Sequence, residues 1–375
     1  MRRLTIVQLL PALESGGVER STLEIADALV RAGHRAIVIS AGGRLVPRLQ
    51  ASGAEHVALD IGRKSLLTLR HVRRLRALFA NEAVDLVHAR SRLPAWLGSM
   101  ALRGMRDGAR PRFVTTVHGL NSPSRYSEVM TRGERVICVS TSVRSHVRQH
   151  YPRAAAEKLR VIPRGIDPAA FPRCPAPDRQ ARRWAAGQHL ALDGDGPLLL
   201  LAGRGTRLKG HADALALLAS LRRSGIDARL WLPGARDAGR QAYMLELERE
   251  AAALGIGGAI ALTAPTEAIA RAYAASDLVL QLSRKPEAFG RTVIEALSVG
   301  RPVLGWAHGG VGELLRELQP GGEVAPFDAA ALADTAQALL ARPPAPPATI
   351  PYTLAAMQDA TLALYAELVD EPAVR

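Results

Sequence analysis

The chain has 375 residues, of which 48% are hydrophobic and 22% are charged, so it resembles a globular protein of two domains and not a disordered one. Its two cysteines, Cys138 and Cys174, cannot form a disulfide framework and lack metal-ligand spacing, which favours a reducing compartment. No apolar stretch approaches the roughly 20 residues of a membrane span, and Pro11 and Glu14 interrupt the first apolar run, so we expect no signal peptide.

The formal net charge of the whole chain is +14, and the positive charge is concentrated in its first half. Residues 1–174 contain 29 Lys+Arg and 13 Asp+Glu, or +16, and the remainder contains 20 and 22, or −2. A high-GC genome would explain Arg in place of Lys, but not why acids are scarce in one half only. We therefore expect an anionic partner for the first half.

Short apolar runs alternate with amphipathic ones in the first half, which predicts a parallel sheet covered by helices on both faces. The predicted strands are 4–10, 35–40, 55–61, 84–90, 112–118, 135–140 and 159–163, and the predicted helices are 18–32, 66–80, 93–103 and 141–150. Three prolines within residues 171–180 then indicate a linker.

The same alternation restarts after the linker and predicts a second α/β domain. Its predicted strands are 197–203, 228–234, 259–263, 277–282 and 302–307, and its predicted helices are 209–223, 238–254, 267–275, 290–299 and 328–341, before a last helix at 352–368. Ligands of open parallel sheets bind beyond the carboxyl ends of the strands, so we expect the ligand in a cleft between the two domains.

Two glutamates flank the predicted start of a helix near Gly290. Glu287 precedes this helix and Glu295 faces inward a turn and a half later, so both carboxylates could reach one ligand. The free N–H groups of Phe289, Gly290 and Arg291 would point at the same place. Carboxylates beside exposed amides suit a ligand with many hydroxyls and an anionic group, such as a sugar nucleotide.

Two cations follow the first strand of the second half. Arg204 stands at the strand end and Lys209 at the predicted helix start, and cations near helix N–H groups make a diphosphate site. The stretch is neither a nucleoside-triphosphate loop nor a G-x-G-x-x-G fingerprint. Both residues could instead be ordinary solvated cations.

Three further features stand at predicted strand ends in the first half. Gly16 and Gly17 would let a ligand approach the backbone, or would simply form a tight turn with positive φ. His118 ends a strand and could face the cleft, or could be a surface or hydrogen-bonded histidine. Strand alternation places Arg90 and Arg92 on one side, where they could bind an acceptor's phosphate or carboxylate, or pair with an acid.

Residues 63–79 form a predicted basic amphipathic helix. Leu69, Val72, Leu75 and Phe79 make one face, and arginines crowd the others. This helix could lie on an anionic membrane surface, or it could pack on the sheet while its basic side is merely solvated.

Together these motifs resemble the retaining family 4 glycosyltransferases of the GT-B fold, also described as glycosyl transferases group 1. The resemblance rests on EAFGRTVIEALSVGRPV (287–303) and GRGTRLKG (203–210), with GGVER (16–20), TVHG (116–119), VIPRGID (161–167) and GGVGELL (309–315) in family order. HARSRLPAW (88–96) and GRLV (43–46) are similar to bacterial members that act on lipopolysaccharide core or related surface glycans.

The resemblance implies two doubly wound domains facing across a cleft. Residues 1–170 would bind the acceptor, residues 171–350 the nucleotide sugar, and residues 351–375 would form a C-terminal helix that packs back on the first domain. It also implies a cytoplasmic enzyme, peripheral on the inner face of the membrane. The enzyme would move a hexose with retention from a nucleotide-diphosphate sugar, most often UDP-linked, to an anionic glycan or glycolipid.

The donor roles are carried over from the same motifs. Glu295 would hold the ribose hydroxyls, Glu287 would bind the donor sugar, and the amides of Phe289 and Gly290 would hold sugar and phosphate. This chain has Arg164 where many members have Asn, which puts the local role of that position in doubt.

The remaining roles concern the leaving group and the reacting carbon. Arg204 and Lys209 would neutralise the departing diphosphate, and His118 would contact the donor sugar near the reacting carbon. Gly16 and Gly17 would lie near the phosphate and the acceptor. Because cations already stabilise the diphosphate and no metal motif stands out, we expect no cofactor and no divalent metal.

Two other classes stay open. One is a sugar-nucleotide epimerase of the same fold, against which the basic acceptor side argues. The other is a non-enzymatic binder of nucleic acid, suggested by a pI near 10.8. Aromatic residues are only 4% and no recognition or stacking motif is evident, so we expect no nucleic-acid partner.

Overall fold

A computed structural model describes residues 2–174, 176–236 and 239–371. The chain divides into two compact units, of which unit 1 comprises residues 1–163 and 354–375 and unit 2 comprises residues 164–353. The predicted boundaries lie at 170 and 350. The division falls a few residues away because Ile166 pairs with Thr353, and its N–H donates to Tyr352 O at 3.0 Å. The first and last segments of unit 2, at Ile166 and Thr353, are therefore paired with each other.

Unit 1 is built on a seven-stranded parallel sheet in the order β3-β2-β1-β4-β5-β6-β7. The strands are β1 (Thr5–Leu9), β2 (Arg35–Ser40), β3 (Glu55–Ala58), β4 (Leu86–Ala89), β5 (Arg112–Val117), β6 (Arg135–Cys138) and β7 (Leu159–Val161). The α-helices that lie between the strands or follow them are α1 (Gly17–Arg31), α2 (Val46–Ala51), α3 (His71–Asn81), α4 (Arg92–Arg103) and α5 (Thr141–His150). The central strands are buried on both faces, which explains their nearly continuous apolar sequences.

Unit 2 repeats this architecture with six parallel strands in the order β10-β9-β8-β11-β12-β13. The strands are β8 (Leu198–Leu200), β9 (Arg229–Pro233), β10 (Ile260–Thr263), β11 (Leu278–Gln281), β12 (Val303–Trp306) and β13 (Glu323–Val324), and the helices are α6 (Arg179–Ala186), α7 (His211–Arg223), α8 (Gln241–Ala253), α9 (Ile269–Ala275), α10 (Arg291–Val299), α11 (Gly309–Leu318) and α12 (Ala329–Ala341). The strand order reverses between β8 and β11, so their carboxyl ends open a crevice of the kind that binds ligands. The predicted fold class, two doubly wound parallel sheets, is confirmed.

The last helix, α13 (Leu354–Asp370), belongs to unit 1. Gln358 joins it to α1, because its amide nitrogen donates to Glu24 O at 2.7 Å and its amide oxygen accepts from Arg31 at 3.0 Å. Tyr365 is 1% exposed and its hydroxyl is hydrogen-bonded to His88 of β4. These contacts place the helix over the sheet of unit 1 and close that side of its core.

Several elements differ from the sequence predictions. The predicted helix 66–80 is a 3-10 helix at Leu66–Arg70 followed by α3, and the Ser65 hydroxyl caps the first turn by accepting from Leu67 N–H. The predicted linker 171–180 overlaps α6, which Asp178 caps. The predicted helix 238–254 starts outside the described residues, and the described helix is α8.

Among the α-helices and strands of the described residues, α2, α6, α11 and β13 had no counterpart in the prediction. α6 buries only Ala181 and Ala185 and β13 has two residues, so neither carries an apolar repeat long enough to predict it. α11 does have a helical apolar spacing, at Val311, Leu314 and Leu315, but it begins with Gly-Gly and so lacks the usual start signals. Within the described residues, no helix has the length and apolarity that crossing a membrane requires.

Candidate active site

The centre of the candidate site in unit 2 is an ion pair between the loops after β8 and β11. Lys209 Nζ lies 2.6 Å from Glu287 Oε1, and the two side chains are 29% and 25% exposed. The Ser283 hydroxyl donates to the same carboxylate oxygen at 2.6 Å. The structure therefore brings together two residues that the sequence indicates through separate motifs.

The neighbours of Glu287 keep its carboxylate ionised. Burial alone would raise its pKa, but the ammonium of Lys209, the hydroxyl of Ser283 and the nearby His308 together hold the pKa below its usual value. An ionised carboxylate only accepts hydrogen bonds, so Glu287 can bind hydroxyl groups of a ligand. Its other oxygen is 3.4 Å from the amide nitrogen of Gln281.

The helix start near Gly290 is confirmed, and it depends on a positive φ. Gly290 is the N-cap of α10 with φ +100°, and a Cβ there would lie 2.9 Å from Val311 Cγ2. Phe289 is buried edge-on against Tyr352. At position 290, both the positive φ and the lack of space therefore disfavour any residue with a side chain. This position also leaves the first N–H groups of α10 at the loop that carries Glu287.

The loop of Glu287 is packed against the first turn of α11. Gly310 N–H donates to Glu287 O at 2.8 Å, and a Cβ on Gly310 would lie 2.4 Å from Phe289 O. A Cβ on Gly309 would lie 2.5 Å from Glu287 O. The stretch GGVGELL thus supports the loop by letting two backbones touch, a role that the sequence reasoning missed although the paired glycines signalled it.

Glu295 is buried in α10, where it is 7% exposed and accepts a hydrogen bond from the Tyr273 hydroxyl at 3.0 Å. The inward direction predicted for this side chain agrees with its burial. Its contact with a ribose stays a prediction.

The two cations of this site differ in their surroundings. Arg204 is exposed just after β8, whereas Lys209 is held by Glu287. Lys209 was predicted at a helix start, which is wrong: it ends a short 3-10 turn, and α7 begins at His211. Gly210 separates them with φ +76°, and a Cβ there would lie 2.0 Å from Leu282 O, so the loop after β8 touches the end of β11.

Unit 1 has its own cavity, of about 350 Å³, at the carboxyl ends of its strands. Its lining brings together His118, Arg90 and Arg92, and it adds Lys64 and Tyr126. Lys64 was not among the candidate residues, because it was counted within the predicted basic helix 63–79, whereas the structure places it in the loop between β3 and the 3-10 helix Leu66–Arg70. Its basic neighbourhood was the one available signal.

Arg90 is buried, with 3% of its surface exposed, and its partners are neutral. Its Nε donates to Gln8 Oε1 at 2.7 Å and its Nη1 to Ser21 Oγ at 2.9 Å. Its Nη2 has no hydrogen-bond partner within the described part of the chain. Burial lowers the pKa of this guanidinium, although the nearby Tyr365 and Glu24 act in the opposite direction.

Arg92 faces the same cavity for a reason other than the predicted one. Strand alternation was wrong as the explanation, because β4 ends at Ala89 and Arg92 is the first residue of α4. Its guanidinium donates to Ser127 Oγ at 3.3 Å and lies 5.3 Å from the ring centre of Tyr126.

The two glycines at the start of α1 have different roles. Gly16 is the N-cap with φ +145°, and a Cβ there would lie 2.7 Å from Glu19 Oε2, so the tight-turn explanation applies to it. Gly17 is the first helical residue and has open space around it. Their contacts with phosphate and acceptor stay predictions.

Comparison with known sequences follows this division of the chain. Residues 15–170 match Glycosyltransferase Family 4, and residues 183–353 match Glycosyl transferases group 1. The D-inositol 3-phosphate glycosyltransferases of Xylanimonas cellulosilytica and Frankia alni are each 33% identical, over 50% and 69% of this chain. The matches cover 44% and 66% of those proteins, less than two thirds of their length. A glycogen synthase of Mycobacterium tuberculosis is 25% identical over 92% of this chain and 87% of its own.

Solved structures extend the likeness to the whole chain. A glycosyltransferase from Rickettsia africae has a TM-score of 0.85 at 26% identity, covering 99% of this chain and 100% of its own. HepE of Anabaena in complex with UDP and glucose has a TM-score of 0.75 at 22% identity, and the match covers 98% of this chain and 96% of HepE. WaaG, a glycosyltransferase involved in lipopolysaccharide biosynthesis, has a TM-score of 0.69 at 18% identity, and the match covers 97% of this chain and 98% of WaaG. The latter two show the fold alone. With each half matched by its family and the GT-B fold spanning both units, the chain belongs to the family 4 glycosyltransferases.

Proposed function

We propose that the protein is a retaining, metal-independent hexosyltransferase that uses a UDP-linked donor. Its acceptor would be a hydroxyl of an anionic bacterial surface glycan or glycolipid, such as lipopolysaccharide core. The observation that carries the proposal is the pairing of Lys209 with Glu287, which sets a cation for a diphosphate beside a carboxylate for sugar hydroxyls. Structures of HepE with UDP and UDP-glucose support the uridine donor, and the likeness to WaaG supports the glycan acceptor.

The chemistry assigned to unit 2 is stabilisation of a leaving group. When the bond from the sugar carbon to the diphosphate breaks, negative charge grows on the diphosphate oxygens. Lys209, Arg204 and the N–H groups at the start of α10 would stabilise that charge. Glu287 would hold the sugar hydroxyls, while the acceptor hydroxyl forms its bond on the face from which the nucleotide departs.

The proposal includes no divalent metal, since the positive charge required is supplied by side chains. Asp193 and Asp195 do have Asp-x-Asp spacing, but they precede β8 and thus lie at the amino end of its sheet. Carboxylates there cannot serve a diphosphate bound at the carboxyl ends of the strands.

For the acceptor we propose a phosphate or carboxylate group held in the cavity of unit 1. Lys64, Arg90 and Arg92 contribute three cations, and the lining found in the described residues includes no carboxylate. A buried guanidinium is costly unless its charge is compensated, and an acceptor anion would add to the compensation that Glu24 supplies to Arg90. The name of the D-inositol 3-phosphate glycosyltransferases favours a phosphorylated polyol as a second candidate acceptor.

We also propose that unit 1 docks on the cytoplasmic face of an anionic membrane. Of the predicted apolar face, Val72, Leu75 and Phe79 are buried in the core, as the sheet-packing alternative predicts, whereas Leu69 is 46% exposed. Leu66 and Leu67, in the preceding 3-10 helix, are 86% and 72% exposed, and basic residues surround them in sequence. Exposed leucines among cations are typical of a membrane-surface segment.

Calorimetric titration tests the donor proposal most directly. UDP and UDP-glucose are expected to bind in the presence of EDTA, and ADP and GDP to bind at least about tenfold more weakly, a difference of about 1.4 kcal/mol. Loss of UDP binding in EDTA would overturn metal independence. Failure of every nucleotide to bind, with or without Mg²⁺, would overturn the donor site itself.

Removing either cation of unit 2 is expected to slow turnover of the donor. Lys209→Ala and Arg204→Ala should each lower kcat/KM for release of UDP from UDP-sugar by roughly ten- to a hundredfold, since a hydrogen bond to a charged group contributes about 1.5–3 kcal/mol. Arg207→Ala is the matched control. It removes the same charge from the same loop, but Arg207 pairs with Glu246 and lies over the ring of Tyr243. Equal losses in all three variants would contradict the assignment.

The anionic acceptor is tested with inositol phosphate against inositol, with saturating UDP present to occupy unit 2. Only the phosphorylated compound should bind, and Lys64→Ala or Arg92→Ala should weaken it about tenfold, as expected for one lost charge-assisted contact. Arg153→Ala, at an exposed arginine of unit 1, serves as the charge control. Equal affinity for inositol would refute the anionic subsite while leaving the donor site untouched.

Membrane docking is tested by co-sedimentation with vesicles. Binding to vesicles containing phosphatidylglycerol should exceed binding to pure phosphatidylcholine and should weaken as salt rises. The double variant Leu66→Glu, Leu67→Glu should abolish it, whereas Leu190→Glu, at a leucine of unit 2 that is 85% exposed, should not. Equal binding to both kinds of vesicle would refute membrane docking as the reason for the positive charge of the first half.

A further inference from the structure

A second cavity, of about 490 Å³, lies in unit 2 between α7 and α12. Its walls are one face of α7, with Asp213, Leu217 and Ser220, and one face of α12, and its end is formed by Trp306 and Phe327. Its volume falls within the range of small-molecule sites. Neither the donor nor the acceptor assignment uses it.

Phe327 occupies a backbone position that a bulky residue normally avoids. The turn Ala325–Asp328 is closed by a hydrogen bond from Asp328 N–H to Ala325 O at 3.2 Å, with Pro326 second and Phe327 third at φ +69°. These are the features of a type II turn, whose third residue is normally Gly or Asn. A phenylalanine there is strained, and strained residues cluster at sites that contact ligands.

Packing in the core does not explain the strain, because Phe327 is 49% exposed. The ring is nevertheless fixed from three sides. Its centre lies 5.8 Å from the ring centre of Trp306 and 6.1 Å from that of His308, and the Arg284 guanidinium carbon is 4.8 Å from it. An aromatic ring that is strained, held in place and open to solvent is suited to contact a ligand.

Polar groups share the lining of the cavity with this ring. Asp334 and Gln337 of α12 and Arg223 of α7 supply hydrogen-bond donors and acceptors. Trp306 is 1% exposed, and its Nε1 has no hydrogen-bond partner among the described residues, so the indole donor is unsatisfied. A buried donor without a partner is rare and calls for a ligand or water.

A cavity lined by an exposed aromatic ring and by carboxylate, amide and guanidinium groups matches the chemistry of a sugar. The C–H face of a pyranose packs on an aromatic ring, and its hydroxyl groups donate to carboxylates and amides and accept from guanidinium. We propose that this cavity binds a neutral saccharide unit of a glycan chain, separately from the donor and acceptor sites.

The cavity is also connected to the loop that carries Lys209. Arg284, which lies over Phe327, pairs with Asp213 at 2.7 and 3.0 Å, and its backbone N–H donates to Leu208 O at 2.8 Å. A saccharide that packs on Phe327 would therefore contact a ring that Arg284 links to the donor loop.

The test is titration of the full chain with neutral oligosaccharides of glucose, galactose and mannose, followed by saturation-transfer NMR, with UDP present to occupy the donor site. At least one series should bind, and Phe327→Gly should weaken it by about tenfold or more. Its unfolding midpoint should stay close to the wild-type value, because relief of the left-handed strain offsets the lost ring contacts and the extra backbone entropy of glycine in the unfolded chain. UDP release without oligosaccharide should stay at the wild-type rate.

Two further variants keep the test decisive. Gln337→Ala should weaken binding several-fold without affecting the turn, and Leu245→Ala, at a second side chain of unit 2 that is 49% exposed, should leave binding unchanged. Binding of no oligosaccharide, or undiminished binding by Phe327→Gly, would overturn the proposal. Either result would leave the donor and acceptor sites as they are, since none of their residues is altered.

Discussion

The ion pair between Lys209 and Glu287 determines how unit 2 is organised around its crevice. These residues are far apart in the chain, but β8 and β11 are neighbours where the strand order reverses, so the loops that follow them open at the same edge. The pair spans that edge and fixes the two loops relative to each other. A carboxylate and an ammonium joined in this way form a mixed surface, able to bind hydroxyl groups and phosphate oxygens together.

Glycine contacts make this arrangement possible. Gly210 lets the loop after β8 touch the backbone at Leu282, and Gly309 and Gly310 let α11 touch the backbone of the Glu287 loop. In each place a Cβ would lie within 2.5 Å of a carbonyl oxygen. The loops are thus held by backbone against backbone, which fixes them more firmly than long side chains would.

The sequence allowed the strands, the fold class and the Glu287 loop to be predicted, because buried parallel strands are continuous apolar runs and the helix after Gly290 has a clear period. It did not allow α11 to be predicted, since a helix that begins with Gly-Gly lacks the usual start signals. The burial of Arg90 was also invisible, because its partners Gln8 and Ser21 come from distant parts of the chain. Lys64 joined the cavity of unit 1 only through folding, since no local pattern distinguished it from other basic residues.

The division of the chain has a consequence for how the protein is made. Unit 1 is interrupted by the whole of unit 2, residues 164–353, and receives its last helix only afterwards. At roughly 5–20 residues per second of synthesis, the sheet of unit 1 emerges from the ribosome about ten to forty seconds before α13 does. During that interval His88 lacks its partner Tyr365, and the side of the core that α13 covers is open to solvent. Unit 2 comes later in the sequence but is continuous, so it can complete its own fold before unit 1 does. Until then, chaperones can reach the apolar surface of unit 1 that α13 eventually covers.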